Sequence, residues 1–581
     1  MPKTSILVFV VIIWQVWLNA QSFYFGCDLS YVNQMEDCGA VYKEDMQPKD
    51  VFQIFADHGT NLVRVRLWAD PSWWQEPLNQ PPGVKPWYSD LEDVRETIQR
   101  AKGAGMQVML DIHYSDFWAD PGRQLIPRGW LDVAYDLEAL KDSVYLYTHD
   151  LLTTLDSEGL MPDIVKVGNE NNPGILKHIP SATGYNIIAT VSESWSRHAQ
   201  LFNAAIQAIR DVGETASIDP KIAVHMSGNL PDQKWSFNNL INNGVTDFDI
   251  LGFSYYYAWH GGSIGQLRTH VADLTASFPA YEVMAVETGY LWTTQNFDAL
   301  ANIINTPDPQ YLPVSPEKQL EYMIDYTRAV MKGGGTGVIF WEPAWVSTPC
   351  KTPWGTGSSH DHVAFFDHQQ KNFMENGAGV WPEAPYYQDL NSRKVTFRVD
   401  MSGQDVSNGV YISGTFSSSP GAIRPMFSIG GGIYEYYTYL PTGEEGGYFF
   451  LNGNDLSYRE TLPEVCAEWQ GTDRKYAVPP YNPLYSDKWG TCEEALGFSE
   501  KNQESGFSVY PNPVRGTLHI NCEGCLPPAR LQIADLFGRT AGVFELEGQS
   551  EALDLGGLLP GVYLLQLQDR RGLFSEKIII E

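Results

Sequence analysis

From residue 22 to about 390, short apolar runs of strand length alternate with longer amphipathic stretches. Eight runs read as strands: Phe23–Leu29, Leu62–Leu67, Gln107–His113, Ile164–Asn169, Lys221–Met226, Ile250–Tyr255, Glu282–Glu287 and Gly337–Trp341. Between the first three lie Val51–Gly59 and Asp90–Gly103, amphipathic stretches that each end in a glycine suited to φ > 0 at a helix stop. Strands alternating with helices predict a (β/α)8 TIM barrel over residues 21–390. A doubly wound open sheet is the alternative, and the lack of a Gly-rich nucleotide loop after any run counts against it.

The polar residues cluster where such a barrel carries its chemistry, at the C-terminal strand ends. Those ends hold Arg66, His113, Asn169 with Glu170, His225, Tyr255, Glu287 and Trp341. In Val63-Arg64-Val65-Arg66-Leu67 the apolar positions share one face and the arginines the other. The apolar face meets the helices, so both arginines point inward and need carboxylate partners, with Asp111 and Glu287 at hand.

Composition shifts near residue 390. Residues 391–498 are rich in Val, Tyr, Phe, Gly and Thr, with period-two alternation in Lys394–Asp400 and turn signals at Gly430–Gly432 and Asn452-Gly453. They read as a β-sandwich. A polar linker spans 499–505, and residues 506–581 are again all-β. The whole is a multidomain chain, a TIM barrel followed by two all-β, sandwich-like domains.

Residues 1–20 have the form of a signal peptide, with Lys3 ahead of an apolar Ile6–Trp17 stretch and the small Ala20 at its end. The net charge of −31 excludes nucleic acid and anionic membranes as partners and fits a soluble, exported monomer that meets neutral polymers. The 18 Trp, 31 Tyr and 26 Phe are a supply of flat faces on which sugar rings stack. Export favours disulfides among the seven cysteines, with Cys27–Cys38 and Cys466–Cys492 as the expected pairs and Cys350 as the free thiol.

Glu170 and Glu287 close the fourth and seventh strands, which stand across the barrel mouth from one another. Glycoside cleavage needs two such carboxyl groups flanking one sugar bond, one protonated and one ionised. A gap of about 5–5.5 Å gives a covalent glycosyl-enzyme and retention, and about 6.5–9.5 Å gives inversion. Asn169 is positioned to bond the sugar 2-hydroxyl, and an inward arginine such as Arg66 would keep Glu287 ionised.

Six segments carry a family resemblance: Phe25-Gly-Cys-Asp-Leu-Ser30, Asp57-His-Gly-Thr-Asn-Leu-Val-Arg-Val-Arg-Leu-Trp68, Leu110-Asp-Ile-His-Tyr-Ser-Asp-Phe-Trp-Ala-Asp-Pro121, Val167-Gly-Asn-Glu170, Phe253-Ser-Tyr-Tyr-Tyr257 and Phe340-Trp-Glu-Pro-Ala-Trp345. In this order they resemble glycoside hydrolase family 53, the arabinogalactan endo-β-1,4-galactanases. The resemblance implies a retaining barrel enzyme with Glu170 as acid/base and Glu287 as nucleophile. It also implies β-1,4-galactan, the galactose side chains of pectin, as substrate.

Asp111, His113, Asp116 and Trp118 are expected to line the site, Trp341 to floor it and Tyr255 to hydrogen-bond the nucleophile. Trp259 and Trp345 are candidate sugar platforms. No cofactor is required. Bacterial members of the family often carry a calcium loop after the seventh strand. Trp292–Asn302 holds few carboxylates and Asp361 and Asp367 form no recognisable cage, so no metal is assigned. Residues 394–401 and 409–414 resemble starch-binding-like sandwiches. Tyr510-Pro-Asn-Pro-Val514, Leu531–Arg539 and Leu559–Tyr563 resemble the type IX secretion sorting domain, which implies the type IX machinery as partner and a secreted or surface location. A barrel hydrolase of mannan, xylan or glucan, and a non-catalytic glycan-binding surface protein, are the competing readings.

Overall fold

The computed structural model describes residues 23–72, 80–172, 174–182, 184–352, 354–417 and 421–493, and most of the strands between 507 and 580. The expected leader at 1–20 and the expected linker at 499–505 lie outside the described residues. The chain divides into two compact units, residues 1–493 and 494–581.

Eight parallel strands close into a barrel in the first unit. They are β1 Tyr24–Asp28, β2 Leu62–Leu67, β3 Gln107–Ile112, β4 Ile164–Val167, β5 Lys221–Met226, β6 Ile250–Ser254, β7 Glu282–Thr288 and β8 Gly337–Phe340. β1 pairs with both β2 and β8, which rules out the open sheet. The outer helices are α1 Val51–Asp57, α2 Leu91–Gly103, α3 Leu137–Ser157, α4 Trp195–Gly213, α5 Leu230–Asn242, α6 Ile264–Ser277 and α7 Pro316–Lys332. Asp50 and Asp90 cap α1 and α2 by accepting from Gln53 and Asp93 backbone N–H groups. Gly59 takes φ 83° after α1 as expected, whereas after α2 the positive φ falls on Gly105 at 82°, because Gly103 is still helical.

The barrel interior is layered. Tyr24, Leu62, Met109, Ile164, Ala223, Ile250, Met284 and Ile339 form an apolar plug at the N-terminal end. Above it the inward positions turn polar: Arg64, Asp111, Lys166 and His225 are all at most 1% exposed. Arg64 Nη2 lies 2.8 Å from Asp111 Oδ2, and Lys166 Nζ lies 2.9 Å from Asp111 Oδ1. Burial alone would raise the Asp111 carboxyl, but Lys166 and Arg64 outweigh it and hold Asp111 well below the usual carboxylate range. The apolar plug supplies burial energy; the charged layer above it positions groups for the mouth.

The disulfides depart from the expected pairing. Cys38 bonds Cys350, and Cys27 is a buried free thiol, its Sγ 3.8 Å from Thr60 Oγ1. Barrel closure explains this, since β1 neighbours β8 and the segments following those strands meet although 312 residues separate the cysteines. Cys466 bonds Cys492. A Cys38→Ser protein is expected to lose on the order of 3 kcal/mol of stability, read by thermal melts. A non-reducing peptide map should recover the Cys38 peptide joined to the Cys350 peptide.

Residues 393–488 form two four-stranded sheets around Val395, Phe397, Ile412 and Phe450. A buried and a half-buried ion pair tie this sandwich to α7: Lys318 Nζ reaches Glu435 at 2.6 Å and Lys394 Nζ reaches Glu321 at 2.8 Å. The second unit has a three-stranded and a four-stranded antiparallel sheet, with Leu518, Leu531, Ile533 and Leu565 in its core. No helix among the described residues is long and apolar enough to cross a membrane.

Candidate active site

Glu170 follows a sharp turn out of β4. Gly168 takes φ 72°, and a Cβ there would meet Asn171 Oδ1 at 2.4 Å, so the turn accepts only glycine. Glu170 itself sits at φ 45°, a costly conformation for a residue with a side chain. The surroundings enforce it: Gly168 N–H donates to Ile112 O at 2.8 Å, Asn171 N–H to His225 O at 2.8 Å, and Gln124 Nε2 to Asn169 O at 2.8 Å.

Glu287 owes its direction to a bulge. Pairing of β6 with β7 runs Gly252 to Met284 and Phe253 to Ala285, then skips to Ser254 opposite Glu287. Met284 and Val286 both belong to the barrel plug, so plain alternation would turn Glu287 outward. The extra residue lets Val286 and Glu287 both face the interior. Gly252 makes room, since a Cβ there would meet Val286 at 2.9 Å.

Both Glu287 oxygens are engaged. Arg64 Nη1 donates to Oε2 at 2.6 Å and the Tyr256 hydroxyl donates to Oε1 at 2.9 Å. Burial, then the charges of Glu287 and Glu170, push the Tyr256 phenol well above its ordinary range, so it stays protonated and remains a donor. The surroundings of Glu170 differ. Burial first, then the Glu287 charge, push its carboxyl up to about 7, with hydroxyls of Ser254 and Ser227 opposing. One carboxylate oxygen from each glutamate and one ring nitrogen of His225 all lie within 4.8 Å of one another. Such a donor set resembles a cation site, but Arg64 already pairs Glu287 and the Lys166 ammonium lies 2.8 Å from His225 Nδ1. Fixed positive charge in those places opposes a metal ion.

The two glutamates open into a cleft of about 590 Å³ whose walls include Trp118, Asn169, Trp259, Trp341, Trp345 and Trp354. Trp259 and Trp354 stand 49% and 42% exposed at its rim, whereas Trp341 and Trp345 are 8% and 1% exposed. Trp354 carries no strand-end signal in the sequence: it lies in the long loop after β8, well beyond the barrel strand end.

Several expected residues lie elsewhere or have other partners. Arg66 does not reach Glu287. It pairs with Glu342 at 3.0 Å and its guanidinium lies 4.1 Å from the Trp118 ring centre, fixing a cleft wall from behind. Arg64 is the arginine on Glu287, because Arg66 stands two residues further along the strand. Tyr255 donates to Gly261 O and Gly262 O at 2.7 and 2.9 Å, and its neighbour Tyr256 meets the glutamate. Asp111 and His113 lie beneath the cleft, 3.4 Å apart. Burial lowers the His113 ring below its usual range, with Lys166 and Arg66 adding to that effect against Asp111. Asp116 accepts from Asp70 N–H and Arg128 N–H at 2.9 and 2.7 Å, which fastens loops and does not line the cleft. Tyr256→Phe should therefore lower turnover about tenfold, the scale of one hydrogen bond to a charged group, while Tyr255→Phe should cost less. Steady-state rates of the two proteins make the comparison.

A closed eight-stranded barrel with this carboxylate pair at its C-terminal mouth defines a glycoside hydrolase. Residues 24–375 match glycosyl hydrolase family 53, and the chain belongs to that family. Residues 508–581 match the secretion system C-terminal sorting domain. The chain is 42% identical over 353 residues to an arabinogalactan endo-beta-1,4-galactanase of Cellvibrio japonicus, covering 60% of this chain and 88% of the relative. It is 29% identical over 375 residues to an endo-beta-1,4-galactanase of Bacillus subtilis, covering 62% of this chain and 81% of the relative. Among solved structures, the family 53 catalytic domain of Ignisphaera aggregans superposes with a TM-score of 0.53 at 27% identity, covering 62% of this chain and 95% of that one.

Proposed function

We propose that the protein is a retaining endo-β-1,4-galactanase acting on arabinogalactan, with Glu287 as nucleophile and Glu170 as acid/base. The observation that carries this reading is the pair itself: oxygens within 4.8 Å, one carboxyl pushed up to about 7 and the other bound on both oxygens by Arg64 and Tyr256. The proximity favours direct attack over a mechanism that needs room for a water between carboxylate and sugar.

In the first step a Glu287 oxygen attacks the anomeric carbon as the glycosidic bond breaks. The Glu170 proton passes to the departing oxygen, leaving a glycosyl ester on Glu287. In the second step Glu170, now a carboxylate, takes a proton from water. The resulting hydroxide attacks the same carbon, and Glu287 leaves as a carboxylate. Arg64 and Tyr256 stabilise the charge that returns to Glu287. Asn169 Nδ2 donates to Ala119 O at 2.8 Å, and its second amide hydrogen remains for the sugar 2-hydroxyl. Trp118, Trp259, Trp341 and Trp354 supply the faces on which galactose rings stack.

Galactan as substrate draws on the named relatives. Release of reducing ends from galactan, and not from mannan, xylan or glucan, tests it; release from one of those glycans alone would overturn it. Residues 1–20 serve as an export leader, residues 391–498 as an accessory sandwich and residues 506–581 as a type IX sorting domain. The enzyme is then exported through the outer membrane and released or held at the cell surface.

A further inference from the structure

We propose that Lys166, His225 and Ser254 form a one-way hydrogen-bond chain that positions the proton of Glu170. The chain rests on the reading of Glu170 as the acid/base. Each link is short: Lys166 Nζ to His225 Nδ1 is 2.8 Å, His225 Nε2 to Ser254 Oγ is 2.8 Å, and Ser254 Oγ to Glu170 Oε1 is 2.7 Å. Lys166, His225 and Ser254 are each 0% exposed, so water does not compete for these groups.

The direction of the chain follows from donor counting. An ammonium has donors and no acceptor, so the His225 nitrogen facing Lys166 must present its lone pair. The Glu170 backbone N–H also points at that nitrogen, at 3.3 Å. Asn169 Oδ1 lies 3.0 Å from it, but that oxygen already accepts from Lys166 at 2.6 Å and Arg64 at 2.9 Å. A neutral His225 therefore carries its hydrogen on Nε2 and donates it to Ser254. The single hydroxyl hydrogen of Ser254 is then left for Glu170 Oε1. Oε1 becomes the accepting oxygen, and the acidic proton is confined to Oε2.

Charge keeps His225 neutral throughout the cycle. Burial, then Lys166 and Arg64, hold its ring well below the usual range, with Asp111 opposing and His113 adding to the effect. Around Glu170 itself stand the like charges of Glu287 and Asp120 and the hydroxyls of Ser254 and Ser227. Ser254 thus favours the carboxylate, against burial and two acids. It keeps the proton transferable in the first step and the base regenerable in the second.

The test uses pH profiles of kcat/KM for the full chain on galactan. The acid must be protonated, so activity falls as pH rises through the Glu170 limb. Removing a donor to its carboxylate raises that limb. Ser254→Ala should move it up by about one pH unit, the worth of one hydrogen bond to a charged group. Ser254→Thr, which keeps a hydroxyl, should return it. The Ser254→Ala loss should be at least several-fold larger on galactan than on dinitrophenyl β-galactobioside, whose leaving group needs no proton. Lys166→Met should shift the limb in the same direction, and little further in the Ser254→Ala background, because the effect runs through Ser254. A limb unmoved in Ser254→Ala overturns the proposal, as does a Lys166→Met shift of equal size in both backgrounds. If Glu170 were not the acid, the wild-type limb would persist in Glu170→Gln, a result distinct from either.

Discussion

Glu287→Ala is expected to lose turnover on galactan by on the order of 10⁴-fold or more, since it removes the carboxylate that forms the glycosyl ester. The cavity left by the missing carboxylate faces Arg64 Nη1 and the Tyr256 hydroxyl, both former donors to Glu287. A small anion should fill it. With an activated aryl galactobioside, added azide should restore turnover and yield the glycosyl azide of inverted configuration, because azide attacks from the face Glu287 has vacated. Azide rescue with retained configuration, or full activity without azide, would contradict the assignment. The loss should exceed that of Tyr256→Phe by orders of magnitude, since the phenol adjusts the carboxylate and the carboxylate makes the bond.

Glu170→Gln is expected to lower turnover on galactan by roughly 10²–10⁴-fold, the usual worth of a general acid. With a dinitrophenyl leaving group the first step needs no proton, so the glycosyl-enzyme should form quickly and then persist. A burst of dinitrophenol followed by slow turnover is the expected trace. The pH profile adds a second signature. With its carboxyl pushed up to about 7, Glu170 is protonated below that pH, and wild-type kcat/KM should fall above it. The Gln protein should lack that limb. Stability should change with opposite sign. The folded-state carboxyl binds its proton more tightly than the unfolded chain does, so wild-type stability declines as pH rises from the unfolded value toward about 7. A neutral amide escapes that decline. Thermal melts should therefore show Glu170→Gln gaining on wild type at pH 8 and not at pH 4.

The barrel was legible because its strands are written as apolar runs, and because most of the runs carry at or beside their C-terminal ends a polar side chain that an apolar core would exclude. Leu62–Leu67 and Lys221–Met226 match the observed strands residue for residue, and the others differ by one or two residues at an end. What failed was choosing between neighbours. Arg64 and Arg66 lie on the same face, about 6.6 Å apart along the strand, and which carboxylate each meets depends on barrel stagger. At the end of β6 the sequence does not distinguish Tyr255 from Tyr256, because the register shifts just after Phe253. The same shift turns Glu287 inward, so from sequence its assignment rests on its place at the end of the seventh strand, where the family resemblance implies the nucleophile, and not on alternation. The Cys38–Cys350 bond spans 312 residues, and local spacing carries no trace of it. Lys166 did leave a signal: it lies between Val165 and Val167 on β4, an inward charge that buried surroundings must use.

The central claim is that Glu170 and Glu287 work as a retaining pair, and the first anomer released from galactan tests it most directly. Proton NMR of a fresh digest, followed before mutarotation sets in, should show the β anomer of the new reducing end appearing first and the α anomer only later. Initial appearance of the α anomer would mean single-step inversion, and would contradict a covalent role for Glu287.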